Sequence, residues 1–208
     1  MAIDSSRSIF RPQVQGLWDQ LKQAIATIVG GLAIGPHETD SKVALVKYAA
    51  YLEDMGIKQI EREITFANNT NKSSVIQAIC DKQPIPFEDG IGNGGTATPE
   101  AIHECLDIFQ EQSPADVPKV ILVFTDGVTH YFKHRQTPEV ARQRLRSAVD
   151  RASAAGVVNY GVVFIGNDNV EEAMFEALEI AQQVPDRAFY GGSLEEVRED
   201  VLASFDCG

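Results

Sequence analysis

Apolar positions along the chain switch between a helical and a strand period. Val14, Leu17, Trp18, Leu21, Ile25, Ile28 and Val29 recur at helical spacing behind Pro12, predicting an amphipathic helix that ends near Gly30-Gly31. After the turn Gly35-Pro36-His37-Glu38 come the strand formers Val43, Leu45, Val46, Tyr48 and Ala49. From Ile57 to Phe66, Ile60, Ile64 and Phe66 interleave with charged residues, as in an edge strand wet on one side. The intervening Glu53-Asp54-Met55-Gly56 is short enough for a hairpin, so this pair is expected to be antiparallel.

Ser74 with Gln77 forms a capping box for a helix through Cys80. Pro84, Pro86 and four glycines then interrupt regular structure up to Thr96. Thr98-Pro99-Glu100 and Thr137-Pro138-Glu139 each offer a capping hydroxyl, an early proline and an acid, the ingredients of a helix start. Val120 to Phe124 is a continuous apolar run, expected of a central strand covered on both faces. Val140, Ala141, Leu145, Ala148, Val149 and Ala152 form the buried stripe of the next helix, and Val157 to Ile165 a second buried strand. A helix from Val170 to Gln182, a strand from Arg187 to Tyr190 and a helix capped by Ser193 with Glu196 complete the chain. Strands alternating with helices predict an α/β fold: a Rossmann-like, doubly wound, mostly parallel sheet with helices on both faces.

The 208 residues fit a single domain spanning 1–208, long enough to bury a full core. With 18 basic against 30 acidic residues the formal charge is -12, which argues against nucleic acid and anionic membrane and favours cations and basic partners. No apolar run is long enough to span a membrane, and Met-Ala-Ile-Asp lacks the pattern of a secretory signal. Of the three cysteines, Cys80 and Cys105 fall on predicted helices, where they can pair or sit as small buried hydrophobes.

Chemistry concentrates at the start of the chain. Asp4-Ser5-Ser6-Arg7-Ser8 offers one carboxylate and hydroxyls two and four residues beyond it. These are hard oxygen ligands of the kind Mg2+ takes in near-octahedral geometry at about 2.0–2.1 Å. Two later stretches can add to them: Gly94-Gly95-Thr96-Ala97-Thr98, and Thr125-Asp126-Gly127 at the end of the apolar run.

In that order the three stretches resemble the von Willebrand factor type A domain, whose metal ion-dependent adhesion site joins a D-x-S-x-S loop, a threonine and a distant aspartate. The matching residues are Asp4, Ser6, Ser8, Thr96 and Asp126. Asp4 to Ser8, Ile34-Gly35-Pro36 and Phe205-Asp206-Cys207 look most like matrilin-type and collagen-associated members. The resemblance implies a six-stranded sheet in the order 3-2-1-4-5-6 with one antiparallel edge strand, and Asp4 and Asp126 at the carboxyl ends of neighbouring strands. It also implies a bound Mg2+, with Mn2+ or Ca2+ as substitutes. Ser6, Ser8 and Thr96 would touch that ion through hydroxyls, and Asp4 and Asp126 often through water. Its open position would accept a carboxylate from an extracellular matrix protein such as a collagen. By the same resemblance the chain is non-enzymatic, extracellular, and part of a longer secreted protein, with Cys207 placed where such domains often close a disulfide. Only Met1, Ala2 and Ile3 precede the aspartate, fewer apolar residues than the family has, so a frayed first strand is expected.

Two other functions compete. In a Mg2+-dependent phosphohydrolase Asp4 would be the nucleophile, but the second acid usual two residues further on is Ser6 here. In a structural matrix module the metal site would serve assembly. Smaller signals have plainer readings. Ser6 and Ser8 can cap a helix, Gly90-x-Gly92-x-x-Gly95 follows prolines where a dinucleotide site needs a strand, and His130 and His134 lack a third zinc ligand. Lys133, Arg135, Arg142, Arg144, Arg146 and Arg151 are expected to be the solvated side of a helix, with a glycosaminoglycan contact as the alternative. Asn68 and Asn71 each fit the N-glycosylation pattern.

Overall fold

The elements run β1 (Ala2–Asp4), α1 (Leu17–Gly31), β2 (Leu45–Leu52), β3 (Ile57–Ile64), a 3-10 turn (Phe66–Asn68), α2 (Lys72–Cys80), α3 (Thr98–Gln112), β4 (Lys119–Thr125), α4 (Pro138–Ala154), β5 (Val157–Phe164), α5 (Val170–Ile180), a second 3-10 turn (Pro185–Arg187) and β6 (Ala188–Gly191). This is a computed structural model, and it describes residues 1–6, 9, 16–52, 57–69, 71–83, 95–129, 137–164, 170–191 and 200–201. Its six strands form one sheet in the order β3-β2-β1-β4-β5-β6. The β2–β3 pair is antiparallel and every other neighbouring pair is parallel, as the hairpin and the βα alternation predict.

Alternation within the strands sorts side chains into two layers. Ala2, Val46, Ile121, Val123, Val157 and Val163 point to the face covered by α3, α4 and α5. Their neighbours Ile3, Leu45, Leu122, Phe124, Val162 and Phe164 point to the face covered by α1 and α2. Burying one such Val, Leu, Ile or Phe side chain contributes about 1.5–3 kcal/mol. At Gly161 the sheet and α5 come so close that a Cβ would lie 2.7 Å from the carbonyl oxygen of Ala177.

β1 is only three residues long, yet it pairs with β2 on one side and β4 on the other, with all three residues buried, so the central strand is not frayed. The helix starts differ from expectation in two places. Asn71 caps α2, its side chain accepting from Ser74 N at 2.8 Å, so the helix begins before the Ser74–Gln77 box. In α3 Thr98 is already helical and Ala97 holds the cap position. Thr137 does cap α4, accepting from Val140 N. Val120 and Val140 are exposed at the margins of otherwise buried runs.

Cys80 and Cys105 are both free, because α2 and α3 lie on opposite faces of the sheet. Cys105 is buried and Cys80 exposed, so only one of them is a core residue. Arg144 pairs with Glu100 and Arg146 with Glu179 along the solvated side of α4. Lys47 on β2 is buried against Glu61 and Glu63 at 3.0 and 2.6 Å and donates to the carbonyl of Gln83 at 2.7 Å. The helix at Ser193, both candidate zinc histidines, Lys133, Arg135, the glycines at 90, 92 and 94, Cys207, Ser8 and the side chain of Asn68 lie outside the described residues.

Candidate metal centre

Three chain segments meet at the carboxyl ends of β1 and β4. Asp4, the last residue of β1, is fully buried. One of its carboxylate oxygens accepts from Ser6 N at 2.7 Å, which folds the following loop back over the strand end. The other accepts from the Thr125 hydroxyl at 2.6 Å, joining the loop to the end of β4. Gly127 N donates to the same threonine oxygen at 3.1 Å, so Thr125 also sets the turn carrying the half-buried Asp126. Ser5 faces the other way, its N–H and hydroxyl both donating to the Tyr48 carbonyl on β2, and this leaves Ser6 beside Asp4.

Thr96 completes the meeting. It is 1% exposed, and the next residue donates its N–H to Ala49 O at 2.9 Å, which anchors the segment to β2. A Cβ built on Gly127 would stand 3.2 Å from the Thr96 hydroxyl oxygen. Asp4, Ser6, Thr96 and the turn carrying Asp126 therefore meet at the carboxyl ends of β1 and β4, the edge at which ligands of open parallel sheets bind.

The donors suit a hard divalent cation. Among the described residues no group of three or more His, Cys, Asp or Glu gathers, so a metal held here would rely on hydroxyls and water beside two carboxylates. The surroundings fit a hydrated ion. Tyr48 is wholly buried with its phenol pushed well above the ordinary tyrosine range, first by burial and then by the charge of Asp4. The hydroxyls of Thr98 and Thr125 face it and temper that rise. Even so, the Tyr48 and Thr98 hydroxyls are buried with no hydrogen-bond partner among the described residues. Orphaned groups of this kind call for water, which Mg2+ retains in its shell.

One residue escaped the sequence reading. Glu176 of α5 is 3% exposed, and a single oxygen of its carboxylate accepts from both the N–H and the hydroxyl of Thr129. Burial raises its pKa to about 7 against the opposing pull of those two bonds. The signal was present: Glu176 falls between Ala173, Ala177 and Ile180, on the buried stripe of its helix.

A protein-family model, the von Willebrand factor type A domain, matches residues 1–199. The chain belongs to that family. No curated protein sequence matches this A domain. Among solved structures, proximal thread matrix protein 1 from the mussel byssus aligns with a TM-score of 0.68 at 18% identity, over 97% of this chain and 43% of that one. The manganese-loaded TRAP protein of Plasmodium vivax gives 0.65 at 13%, over 98% and 71%. The pilus adhesin SpaC of Lactobacillus rhamnosus GG gives 0.63 at 12%, over 98% and 28%. This A domain therefore spans less than half of the thread matrix protein and of the adhesin, and the likeness concerns the fold.

Proposed function

We propose that this A domain is a non-enzymatic, divalent-cation-dependent binding module for an extracellular matrix protein. The observation that carries it is the convergence of Asp4 and Ser6, Thr96, and Asp126 at the ends of β1 and β4. Ser6, Ser8 and Thr96 would hold Mg2+, or Mn2+ or Ca2+, through hydroxyls, with Asp4 and Asp126 acting largely through water. When bound, the cation supplies an electrophilic position for a carboxylate oxygen of the partner, a collagen being the expected class. The manganese carried by the TRAP neighbour and the thread-matrix and adhesin roles in the neighbours' names support this reading. By the same reading the protein is secreted and acts in the matrix.

The geometry at Asp4 weighs against the phosphohydrolase alternative. Ser6, whose N–H is bonded to Asp4, stands two residues beyond it where the phosphohydrolase would need a second acid to protonate the leaving group. Capture of matrix proteins on immobilised domain, with Mg2+ or with chelator, tests the proposal. Capture is expected in Mg2+ alone and is expected to vanish in Asp126→Ala with its melting unchanged. Equal capture in chelator removes the proposal. A melt that rises with Mg2+ while no partner is captured points instead to a module in which the metal serves assembly.

A further inference from the structure

Beside the metal centre lies a cleft of about 300 Å³ between the chain following β4, the start of α4 and the side of α5 that carries Glu172, Phe175, Glu176 and Glu179. That is the lower end of the range for ligand pockets, the scale of one side chain rather than of a cofactor. Val128 and Thr129 form one wall, two and three residues beyond Asp126. At no more than about 3.6 Å per residue, this wall lies within roughly 11 Å of that aspartate.

We propose that this cleft is a subsite for a basic side chain, arginine or lysine, of the same protein partner whose carboxylate the metal centre takes. The inference rests on the metal reading above for its partner, but the cleft's own chemistry carries it. Glu172, Glu176 and Glu179 line it, with Arg142 as the opposing charge. Glu179 is already paired with Arg146, so Glu172 and Glu176 face Arg142 alone, and above a pH of about 7, with Glu176 ionised, the two acids outweigh it and set the preference for a cation. Both hydrogen bonds to Glu176 fall on one carboxylate oxygen, and the other accepts none from the described residues. Once ionised, a buried carboxylate with an oxygen that accepts nothing from the described residues favours a cationic donor over any anion.

The remaining walls suit the rest of such a side chain. Phe175 is 58% exposed, a large aromatic surface at the mouth on which a guanidinium can stack, and Pro138 and Ala141 are apolar flanks for a methylene stem. The positive end of α4 does not cancel this preference. Thr137 caps it, and Glu139 sits in its first turn, with its carboxyl held below the usual range by bonds from the Thr137 side chain and its own backbone. The overall charge of -12 draws basic partners toward the surface as well.

Agmatine, a guanidinium on a short methylene stem, is the probe. Titrated into the 15N-labelled domain, it is expected to shift the amides of Val128, Thr129, Ala141 and Phe175 saturably, with chelator present or absent. The Glu172→Gln, Glu176→Gln double variant should bind it about tenfold more weakly. Glutamine at 176 still accepts the Thr129 bonds, so the fold is retained, and an unchanged melt confirms this. No saturable shift in wild type, or undiminished binding by the double variant, overturns the subsite. Binding that emerges only in a Lys133→Ala, Arg135→Ala variant also overturns it, by showing that the chain's own residues occupy the cleft. Mg2+ titrations of the same samples separate the two readings. Failure of agmatine with Mg2+ binding intact removes the subsite alone, and agmatine binding that persists in a domain without Mg2+ affinity removes the metal reading alone.

Discussion

A single methyl group at Gly127 probes the metal centre without removing any of its oxygen ligands. The residue has no left-handed φ, so its backbone admits alanine, and chain neighbours aside the Thr96 hydroxyl at 3.2 Å is the only heavy atom within 4 Å of the new Cβ among the described residues. That contact is tight enough that the hydroxyl must retreat by a few tenths of an ångström. For Mg2+, which demands near-ideal octahedral geometry at about 2.0–2.1 Å, such a shift matters. Ca2+ accepts oxygens at about 2.3–2.6 Å in looser arrangements and should tolerate it. Displacing a group that sets donor geometry typically lowers metal affinity by about 10–100-fold. For so small a shift the lower figure is expected, about tenfold or ~1.4 kcal/mol for Mg2+, with a smaller loss for Ca2+. Calorimetric titration of both ions into wild type and Gly127→Ala measures this, and Thr96→Ser in the same background, freed of the threonine methyl, should recover part of the loss. Equal Mg2+ affinities in wild type and variant, or a drop in the metal-free melt large enough to account for the loss, would refute the reasoning.

Gly161→Ala should act on the fold instead, because the added carbon meets the backbone of α5 at 2.7–3.0 Å. Overpacking of this kind costs about 1–3 kcal/mol, roughly 2–4 °C of melting temperature for each kcal/mol in a chain of this size, while Mg2+ affinity stays unchanged. Glu176 has a folded pKa of about 7 against an ordinary value of 4.5 for an exposed glutamate, so the folded state binds its proton more tightly than the unfolded state does. Its effect on stability is nil below the unfolded value and becomes a growing loss as pH rises from about 4.5 to 7. Denaturant melts across that window should show the decline, on the order of 3 kcal/mol, and Glu176→Gln should flatten it. Cys80 should react with a thiol reagent in the native protein, whereas Cys105, buried and with its thiol pKa pushed up by burial, should label only on unfolding. Peptide mapping of the labelled protein distinguishes them, and native labelling of Cys105 would contradict the packing of α3.

The architecture was legible because strand burial leaves a strong imprint. The apolar run ending at Phe124, the mixed pattern around Ile60 and Ile64, and the stripe through Leu145 and Val149 each led to the element observed. Helix starts were read less well because several neighbouring side chains can cap. Asn71 and Ser74 compete for one helix end, and Thr98 has a hydroxyl suited to a cap it does not form. Asp4 and Asp126 stand at the ends of adjacent strands, as the resemblance to the A domain implies, because the strand order makes β1 and β4 neighbours. Thr125 stands in the Thr-Asp-Gly stretch with no role that its spacing assigns, and only the pairing of β1 with β4 brings its hydroxyl to Asp4. Glu176 was passed over because charged residues are normally assigned to the wet side of a helix. Its place on the buried stripe of α5 marks it, and the bonds from Thr129 show how that burial is satisfied.

The segment bearing Thr96 is moored to β2 at two points, Lys47 gripping the carbonyl of Gln83 and Ala49 receiving the N–H of Ala97. β2 is thereby the jig for this donor: the sheet itself, through Ala49, holds the threonine to its mark, so a change that tilts β2 would be felt at the ion before it was felt in the melt.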